Sequence, residues 1–472
     1  MKTLFVTSEA YPFLVSGGLG DVSGALPAAL RSRFIGCRVV MPLYEDIKEE
    51  LKNEMHFIGS LSVPVSWRRQ YCGVFEAKYN GVIYYLLDNQ YYFKRHGLYG
   101  YYDDAERFAF FSRAALEIIP LIGYKPDVIH CNDWQSALVP TYYHLFYAGR
   151  PGYENMKTVL TIHNIQYQGK YGEEILEDVL GIPYDARCLL ENEGAVNILK
   201  GGIETAHAVT TVSPTYAREI LDPWFSYGLD SILKERSWKL RGIINGIDVE
   251  VYNPETDPMI AANFSAETLS GKAQNKRALQ EQLGLPQRED VPLIGIVSRL
   301  VSQKGLDLVK YALEEMMQWD VQFVILGSGD WAYESYFDEM AAKYPQKIGL
   351  KLGFIPALAH QIYAGADMFL MPSKFEPCGL AQLISLRYGT LPIVRETGGL
   401  KDTVLDCGGE NGNGFTFQTY NGDDMKDAVH RAVMLYQNRD AWNEAVIRAM
   451  HCDHSWGQSA GEYAKLYKEL QK

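Results

Sequence analysis

The sequence has no run of about 18 consecutive apolar residues, the length that a membrane-spanning helix needs. Its first residues enter a strand-like run without the apolar segment of a signal peptide. Its seven cysteines are scattered, with no CxxC pair and no cysteine–histidine spacing for zinc. We therefore expect no membrane partner, no disulfide framework and a cytoplasmic location.

Positive charge is also scarce. Lys and Arg number 45 against 58 Asp and Glu, which gives a formal net charge of −13. Because a nucleic-acid partner calls for a basic face, this balance argues against one. The sequence lacks the GxxxxGK[ST] motif, which excludes ATP hydrolysis by a P-loop. It also lacks a cluster of metal-ligand residues, so we expect no metal and no other cofactor.

The chain is long enough for more than one domain, since 472 residues exceed what a single hydrophobic core usually fills. Apolar strand-like runs alternate with helical patterns, and this alternation starts afresh after Asn245-Gly246-Ile247-Asp248. The pattern predicts an α/β fold with two doubly wound, Rossmann-like domains facing a deep cleft. We place the first domain at residues 1–243 and the second at 244–454.

In the first half, three predicted strands end in residues that can bind a polar ligand. The glycine loop with Gly17 and Gly18 follows the strand at 4–7, Asp133 follows 127–130, and His163 follows 158–162. Taken alone, the glycine loop fits a tight connection as well as a ligand site, and a lone histidine is more often structural. Open α/β sheets bind ligands at the carboxyl ends of their strands, so the three together favour a site.

In the second half, Glu376 lies where the strand at 368–371 gives way to a helix, and Arg299 and Lys304 follow the strand at 293–297. The structural alternative is that Glu376 only forms a turn and that the cations cap a helix or pair with Asp307. Two cations beside helix N-termini, however, provide fixed positive charge for an anion. The pattern predicts a diphosphate site in which protein cations take the place of Mg²⁺.

Eight segments together resemble a known family, that of the bacterial glycogen synthases and plant starch synthases. These enzymes are retaining glucosyltransferases with the two-domain GT-B fold, and the resemblance runs essentially end to end. The segments are SEAYPF…GGLGDV (8–22), HCNDWQSAL (130–138), TIHNIQYQG (161–169), TTVSPTYAREI (210–220), IINGID (243–248), VSRLVSQKGLDL (297–308), KFEPCGLAQL (374–383) and ETGGLKDTV (396–404).

The resemblance implies ADP-glucose as the donor and the non-reducing end of an α-1,4-glucan as the acceptor, with retained α configuration. It implies a first domain on the acceptor side, a second domain that binds the nucleotide sugar, and a final helix, 455–472, that returns to the first. The catalytic residues that it implies are Glu376 and His163 at the donor glucose, Asp133 on the same side, and Arg299 and Lys304 at the diphosphate.

The resemblance also implies substrate-binding residues. An aromatic ring at Phe354 would pack on the adenine, and Asn245 would lie near the glucose. The remaining positions belong to glycine loops and to the segment around Glu376, and they are Gly17, Gly18, Cys378, Gly379, Thr397, Gly398 and Gly399.

One position departs from the family pattern. The first glycine loop of the family usually carries a lysine where this chain has Val15, followed by Ser16. Loss of one charge-assisted contact to a phosphate costs roughly 1.5–3 kcal/mol. Two alternatives therefore stay open beside the active enzyme: a donor other than ADP-glucose, such as UDP-glucose, and a non-catalytic or regulatory glucan-binding paralogue. The other matched positions are intact, which favours an active enzyme.

Overall fold

The computed structural model describes all 472 residues, and the chain divides into two compact units. The first unit comprises residues 1–245 and 456–472, and the second comprises 246–455. The chain passes from the first unit to the second after residue 245, two residues later than the boundary that we placed after residue 243. The Ile243 amide donates to the Thr211 carbonyl at 2.8 Å, and the Ser459 hydroxyl donates to the Ile244 carbonyl at 2.5 Å. These bonds attach residues 243–245 to the first unit.

The first unit is built on twelve strands and twelve helices, the last of which is the C-terminal helix described below. The strands are β1 Lys2–Val6, β2 Gly36–Pro42, β3 His56–Val65, β4 Arg68–Tyr79, β5 Val82–Asp88, β6 Val128–Asn132, β7 Lys157–Ile162, β8 Lys170–Tyr171, β9 Glu191–Asn192, β10 Ala195–Asn197, β11 Ala208–Thr211 and β12 Leu240–Gly242. The helices before residue 245 are α1 Gly18–Ser32, α2 Glu49–Asn53, α3 Gln90–Phe93, α4 Asp104–Leu121, α5 Asp133–Ser136, α6 Leu138–Tyr142, α7 Ile175–Asp178, α8 Ile198–Thr205, α9 Pro214–Glu219, α10 Pro223–Ser226 and α11 Asp230–Glu235.

Nine of these strands form one sheet in the order β12-β11-β7-β6-β1-β2-β5-β4-β3. All neighbours run parallel except β5–β4 and β4–β3, which are antiparallel. Strands β5, β4 and β3 therefore extend the sheet at one edge. From β1 the chain builds outward to β2 on one side and, later, to β6 and β7 on the other. The switch in strand order, where such sheets bind ligands, lies between β1 and β6.

The second unit contains six strands and eight helices. The strands are β13 Leu293–Val297, β14 Gln322–Gly327, β15 Ile348–Leu352, β16 Met368–Met371, β17 Leu391–Arg395 and β18 Phe415–Phe417. The helices are α12 Ser270–Gln282, α13 Leu306–Met316, α14 Trp331–Lys343, α15 Pro356–Gly365, α16 Ala381–Arg387, α17 Gly398–Thr403, α18 Gly422–Gln437 and α19 Arg439–Met450.

The six strands form a single parallel sheet in the order β15-β14-β13-β16-β17-β18. Strands β14 and β16 are buried along their whole length, as expected for a parallel sheet that is covered on both faces. The chain builds from β13 through β14 to β15, then returns to place β16 on the other side of β13. The switch in strand order therefore lies between β13 and β16.

The C-terminal helix, α20 Trp456–Leu470, belongs to the first unit. It packs against α1, and the hydroxyl of its Tyr467 lies 2.6 Å from Nδ1 of His130 on β6. His130 is fully buried, and its other ring nitrogen lies 2.6 Å from the Thr161 hydroxyl on β7. These hydrogen bonds fix the helix to the centre of the nine-stranded sheet.

Candidate active site

The switch point of the second sheet brings together the residues that the sequence singled out in that half. Strands β13 and β16 are direct neighbours, and their carboxyl ends lead to Arg299 and to Glu376. A cavity of about 230 Å³ lies there, lined among others by Arg299, Lys304, Ser373 and Glu376. Two cations and one carboxylate therefore share one concave surface.

Lys304 and Glu376 form an ion pair within this cavity. Nζ of Lys304 lies 2.6 Å from Oε2 of Glu376, and the Ser373 hydroxyl donates to the same oxygen at 3.1 Å. Both side chains are largely shielded, with 18% and 10% of their area exposed. Ion pairs of this kind are stronger than surface pairs because less water screens them. The carboxylate is therefore held in one orientation at the cavity wall.

Arg299 is the cation of the cavity that has no ion-pair partner. Its side chain is exposed and makes neither a salt bridge nor a hydrogen bond. Asp307, the alternative partner, instead accepts a hydrogen bond from the Tyr420 hydroxyl at 2.5 Å. Arg299 therefore presents an uncompensated charge beside the Lys304–Glu376 pair, which suits an anionic ligand.

Glycines allow the close backbone packing that supports Glu376. Gly398 has φ of 45°, and a Cβ on it would lie 1.9 Å from the Glu376 carbonyl oxygen. The Gly399 amide donates to the same carbonyl at 3.2 Å, and a Cβ there would lie 2.1 Å from the Cys378 carbonyl oxygen. Packing alone therefore explains why these two positions are glycine, since a side chain at either would keep helix α17 from approaching the turn that carries Glu376. Their contact with a phosphate or sugar stays a prediction.

The remaining predicted positions of this segment surround the same turn. Cys378 is buried, and Gln382 donates to its carbonyl at 2.9 Å and to the Gly379 carbonyl at 3.0 Å. Thr397 is fully buried at the N-cap of α17. Phe354, by contrast, follows β15 with 91% of its surface exposed. A ring that is exposed to this extent has a free face on which a planar base can stack.

In the first unit, Asp133 and His163 lie together at the carboxyl ends of β6 and β7. The His163 amide donates to Oδ1 of Asp133 at 2.7 Å, and its ring Nε2 donates to Oδ1 of Asn132 at 2.9 Å. The Asn132 amide group donates in turn to the Val6 carbonyl at 3.0 Å, which fixes its orientation. Asp133 has φ of 54°, a strained conformation for a non-glycine residue and one often found at functional sites.

Burial shifts the pKa of both groups. It raises the pKa of Asp133 to about 7, although the hydrogen bonds from the His163 and Asn164 amides lower it. It lowers the pKa of His163 to about 3. The imidazole is therefore neutral at physiological pH, and because Nε2 is the donor, Nδ1 is left as an acceptor. This pair can offer a sugar hydroxyl both an acceptor nitrogen and a carboxyl group.

The glycine loop follows β1, on the other side of the switch point from β6. Gly17 is the N-cap of α1 and Gly18 its first residue, so the glycine loop leads directly into the helix. A Cβ on either glycine would meet no atom within 4 Å. Packing therefore does not explain why these positions are glycine, whereas a close approach of ligand to backbone would. Val15 is 39% exposed, and its side chain lies against Gly20.

Asn245 is the last residue of the first segment of the first unit. It is 6% exposed, and its Oδ1 is buried without a hydrogen-bond partner. Such an acceptor is costly unless a ligand supplies the missing donor.

No group of three or more His, Cys, Asp or Glu side chains in the structure could hold a metal ion. None of the helices has both the length and the apolarity for a membrane crossing.

The chain is similar to known proteins in both sequence and structure. A family model described as the starch synthase catalytic domain matches residues 2–235, and one described as glycosyl transferases group 1 matches 278–448. A glycogen synthase of Geobacillus thermodenitrificans is 52% identical, with 100% of this chain and 98% of that protein covered. The chain belongs to the glycogen synthase family. It is therefore a glycosyltransferase, as we predicted from the eight segments.

Further relatives support the same family and the two-domain GT-B fold. A glycogen synthase of Clostridium perfringens is 49% identical over 100% of this chain and 99% of its own. The catalytic domain of starch synthase IV from Arabidopsis thaliana, solved with ADP and acarbose, superposes with a TM-score of 0.91 at 36% identity, covering 99% of each chain. A sucrose-phosphate synthase from Thermosynechococcus elongatus, at 16% identity and a TM-score of 0.62, shares the fold.

Within this glycogen synthase fold, sequence reasoning missed two residues that hold predicted ones in place. Ser373 donates to Glu376, and Glu9 accepts hydrogen bonds from Ser16 beside the glycine loop. Ser373 lies two residues after β16 and Glu9 three residues after β1, so a polar residue close to a strand end was the signal available. The Lys304–Glu376 pair was not predicted either, because we assigned the two side chains to different parts of the donor.

Proposed function

We propose that this glycogen synthase family member transfers glucose from ADP-glucose to the non-reducing end of an α-1,4-glucan, with retention of configuration. The observation that carries the proposal is the cavity at the second switch point. There an unpaired Arg299 adjoins a Lys304–Glu376 ion pair. A cavity that offers two cations and one fixed carboxylate matches a substrate with an anionic diphosphate and a sugar that becomes positively charged on reaction.

Arg299 and Lys304 bind the diphosphate in this proposal. The bond between glucose and the diphosphate breaks with negative charge developing on the leaving oxygen, and preorganised cations stabilise that charge. Arg299 is ready for this role because it has no competing partner. Lys304 must share its ammonium group between the phosphate and Glu376, which its three donors permit. Protein cations thus supply the charge, and we propose that the reaction needs no metal or other cofactor.

Glu376 faces the donor glucose. Positive charge builds on the glucosyl ring during a retaining transfer, and a nearby carboxylate stabilises it. Ser373 and Lys304 both bind Oε2, so Oε1 is the oxygen left to face the sugar. We propose that His163 and Asp133 bind hydroxyls of the same glucose, with Asn245 supplying a further acceptor.

The other predicted residues complete the binding of the donor. We propose that Phe354 stacks on the adenine and that Gly17, Gly18, Gly398 and Gly399 contact phosphates or sugar through their backbones. Cys378, Gly379 and Thr397 would form the wall beside Glu376. The first unit would hold the glucan acceptor and the second the nucleotide sugar. The Arabidopsis starch synthase, solved with ADP and acarbose, supports this substrate pair.

Val15 is the observation that favours a second candidate. A glycine loop without the family lysine could belong to a paralogue that binds glucan without turnover, or to an enzyme with another donor such as UDP-glucose. Against the first stand the intact Lys304–Glu376 pair and the neutral His163. The adenine and uracil alternatives both need a flat aromatic face, so Phe354 does not separate them.

A direct assay tests the proposal. Purified protein is incubated with glycogen and radiolabelled ADP-glucose or UDP-glucose, and the glucose incorporated into polymer is counted. We expect incorporation from ADP-glucose at least about ten-fold faster than from UDP-glucose, a preference worth about 1.4 kcal/mol. Turnover with neither donor would support the non-catalytic paralogue, and preference for UDP-glucose would change the donor while keeping the reaction.

A further inference from the structure

Glu9 is a buried carboxyl group to which the proposed reaction gives no role. It lies three residues after β1 and is 3% exposed. Its Oε2 accepts a hydrogen bond from the Ser16 amide, and its Oε1 accepts from the Ser16 hydroxyl at 3.1 Å and from the Tyr99 hydroxyl at 3.3 Å. Both carboxylate oxygens are therefore used, and most of their partners belong to the loop that precedes α1.

These contacts fix the start of α1 from outside the helix. Gly17, its N-cap, has no side chain with which to cap the first turn, and the Gly17 amide also interacts with the Glu9 carboxylate. The first N–H groups of any helix have no acceptor inside that helix. By binding the amides of residues 16 and 17, Glu9 sets the direction in which the next amides, those of Gly18 and Leu19, point.

The space in front of these glycines is open. Ser16, Gly17 and Gly18 are all exposed, and an added Cβ on either glycine would meet nothing within 4 Å. Tyr99, which donates to Glu9, is itself held in place, since its hydroxyl also lies 2.7 Å from the Ser8 hydroxyl. The arrangement thus consists of a rigid buried anchor behind the loop and an accessible backbone in front of it.

A purely structural role for Glu9 is the competing explanation. Burying a carboxylate is costly, and here burial raises the pKa of Glu9. Most of the groups that donate hydrogen bonds to Glu9 are amides and a hydroxyl of a solvent-exposed loop. Water could accept those hydrogen bonds if Glu9 were absent. A buried carboxylate that is costly and yet orders an exposed loop is better explained by a functional requirement on the position of that loop.

We propose that Glu9 is a positioning residue that holds Ser16–Gly18 so that the backbone amides at the start of α1 face the diphosphate-sugar of the donor. This inference rests on the proposed function. It has particular weight in this chain because residues 15–18 of the loop, Val15-Ser16-Gly17-Gly18, carry no cation. The oriented amides are therefore the means by which this loop attracts an anion.

Kinetics of Glu9→Gln test the proposal. Glutamine keeps the size but offers one acceptor oxygen in place of two, so the loop loses part of its anchor. We expect KM for ADP-glucose to rise about ten-fold, as for loss of a charge-assisted hydrogen bond, with kcat within about three-fold and the acceptor KM unchanged. Glu117→Gln is the matched control, because Glu117 on α4 also accepts a hydrogen bond from a tyrosine, Tyr147 at 2.5 Å.

A double-mutant cycle separates positioning from general destabilisation. Gly18→Ala blocks the open side of the loop. If Gly18 and Glu9 act on the same contact with the donor, the rise of KM in the double mutant should be clearly smaller than the two single mutations predict together. Ser16→Ala, at an exposed residue, gives a second test that does not endanger folding, and we expect KM to rise about two- to five-fold.

The outcomes distinguish this inference from the function on which it rests. Wild-type protein that turns over no sugar nucleotide would overturn both. An active wild type with unchanged KM in Glu9→Gln and Ser16→Ala would overturn the positioning role alone. Full additivity with Gly18→Ala, or an equal rise of KM for ADP-glucose in Glu117→Gln, would show that Glu9 serves stability instead.

Discussion

Replacing Glu376 by glutamine tests the proposed chemistry most directly. The substitution keeps the shape of the side chain and removes its charge. Glu376 is 10% exposed, and its only charged partner is Lys304 at 2.6 Å. The glutamine carbonyl can still accept from Ser373 and from Lys304, so the turn that carries residue 376 should keep its conformation. Turnover should then change because of the charge and not because of the fold.

The expected magnitudes differ for stability, binding and turnover. Loss of one partner of a fully buried ion pair costs about 3–5 kcal/mol, and loss of a surface pair about 0–1 kcal/mol. Lys304 is 18% exposed and keeps a neutral acceptor, so we expect a cost of about 1–2 kcal/mol. Affinity for ADP should stay within about three-fold, or improve, because Lys304 is released for the phosphates. The value of kcat should fall by at least about 10³-fold.

Three measurements check these expectations: glucose incorporation from labelled ADP-glucose, calorimetric titration with ADP, and thermal unfolding. Glu204→Gln is the matched control. Glu204 is 12% exposed and pairs with Arg236 at 2.8 Å, but it lies in the first unit and lines no part of the cavity. It should lose similar stability and keep its kcat. A Glu376→Gln protein that retains a tenth of wild-type kcat would refute the role at the sugar, and a large loss of ADP affinity would reassign Glu376 to the nucleotide site.

Four further predictions follow from the same structure. Arg299→Ala and Lys304→Ala should each lower kcat by about 10²–10³-fold with folding intact. The wild-type enzyme should keep full activity in EDTA, and an enzyme that loses activity in the chelator would contradict the metal-free proposal. Val15→Lys should raise kcat/KM for ADP-glucose about ten-fold if about 1.4 kcal/mol is recovered, and a folded variant without this gain would show that another group fills the role. Gly305→Ala should destabilise the second unit by about 2 kcal/mol or more, measured by denaturant unfolding, because φ is 72° and the new Cβ would lie 1.9 Å from the Pro372 carbonyl oxygen. Burial raises the pKa of Asp133 to about 7, so between about pH 4 and 7 the folded chain binds more protons at this group than the unfolded chain does. The group therefore favours folding at acid pH, and this contribution to the free energy of unfolding is lost as pH rises. Asp133→Asn should remove that pH dependence when stability is measured between pH 5 and 8.

Several features of the site were predictable because they depend on short stretches of chain. Asp133 and His163 come directly after buried strands, and Arg299 and Glu376 lie two and five residues after theirs. The carboxyl ends of parallel strands share one edge of a sheet, so the pattern places such residues together. The family was evident from the eight segments, and the relatives at 52% and 49% identity confirm it. The roles of the individual residues stay predictions.

The purpose of several glycines could not be predicted from the pattern. Gly398 and Gly399 resemble a phosphate loop in sequence, yet they allow α17 to pack against the backbone of residues 376–378. Gly17 and Gly18, in a similar pattern, have open space around them. A run of glycines indicates that something approaches closely, but only the surrounding atoms decide whether that neighbour is the protein or a ligand.

The sequence by itself determined the two α/β units, the strand ends that carry the polar residues and the family, since each depends on local periodicity or on short motifs. Only the tertiary structure decided which of those residues meet. Lys304 and Glu376 are 72 residues apart, and they form an ion pair because β16 returns to lie beside β13. Glu9 and Tyr99, 90 residues apart, anchor the glycine loop in the same way. Such pairings depend on strand order, which arises from the packing of the whole sheet and is not recorded in any single stretch of the chain.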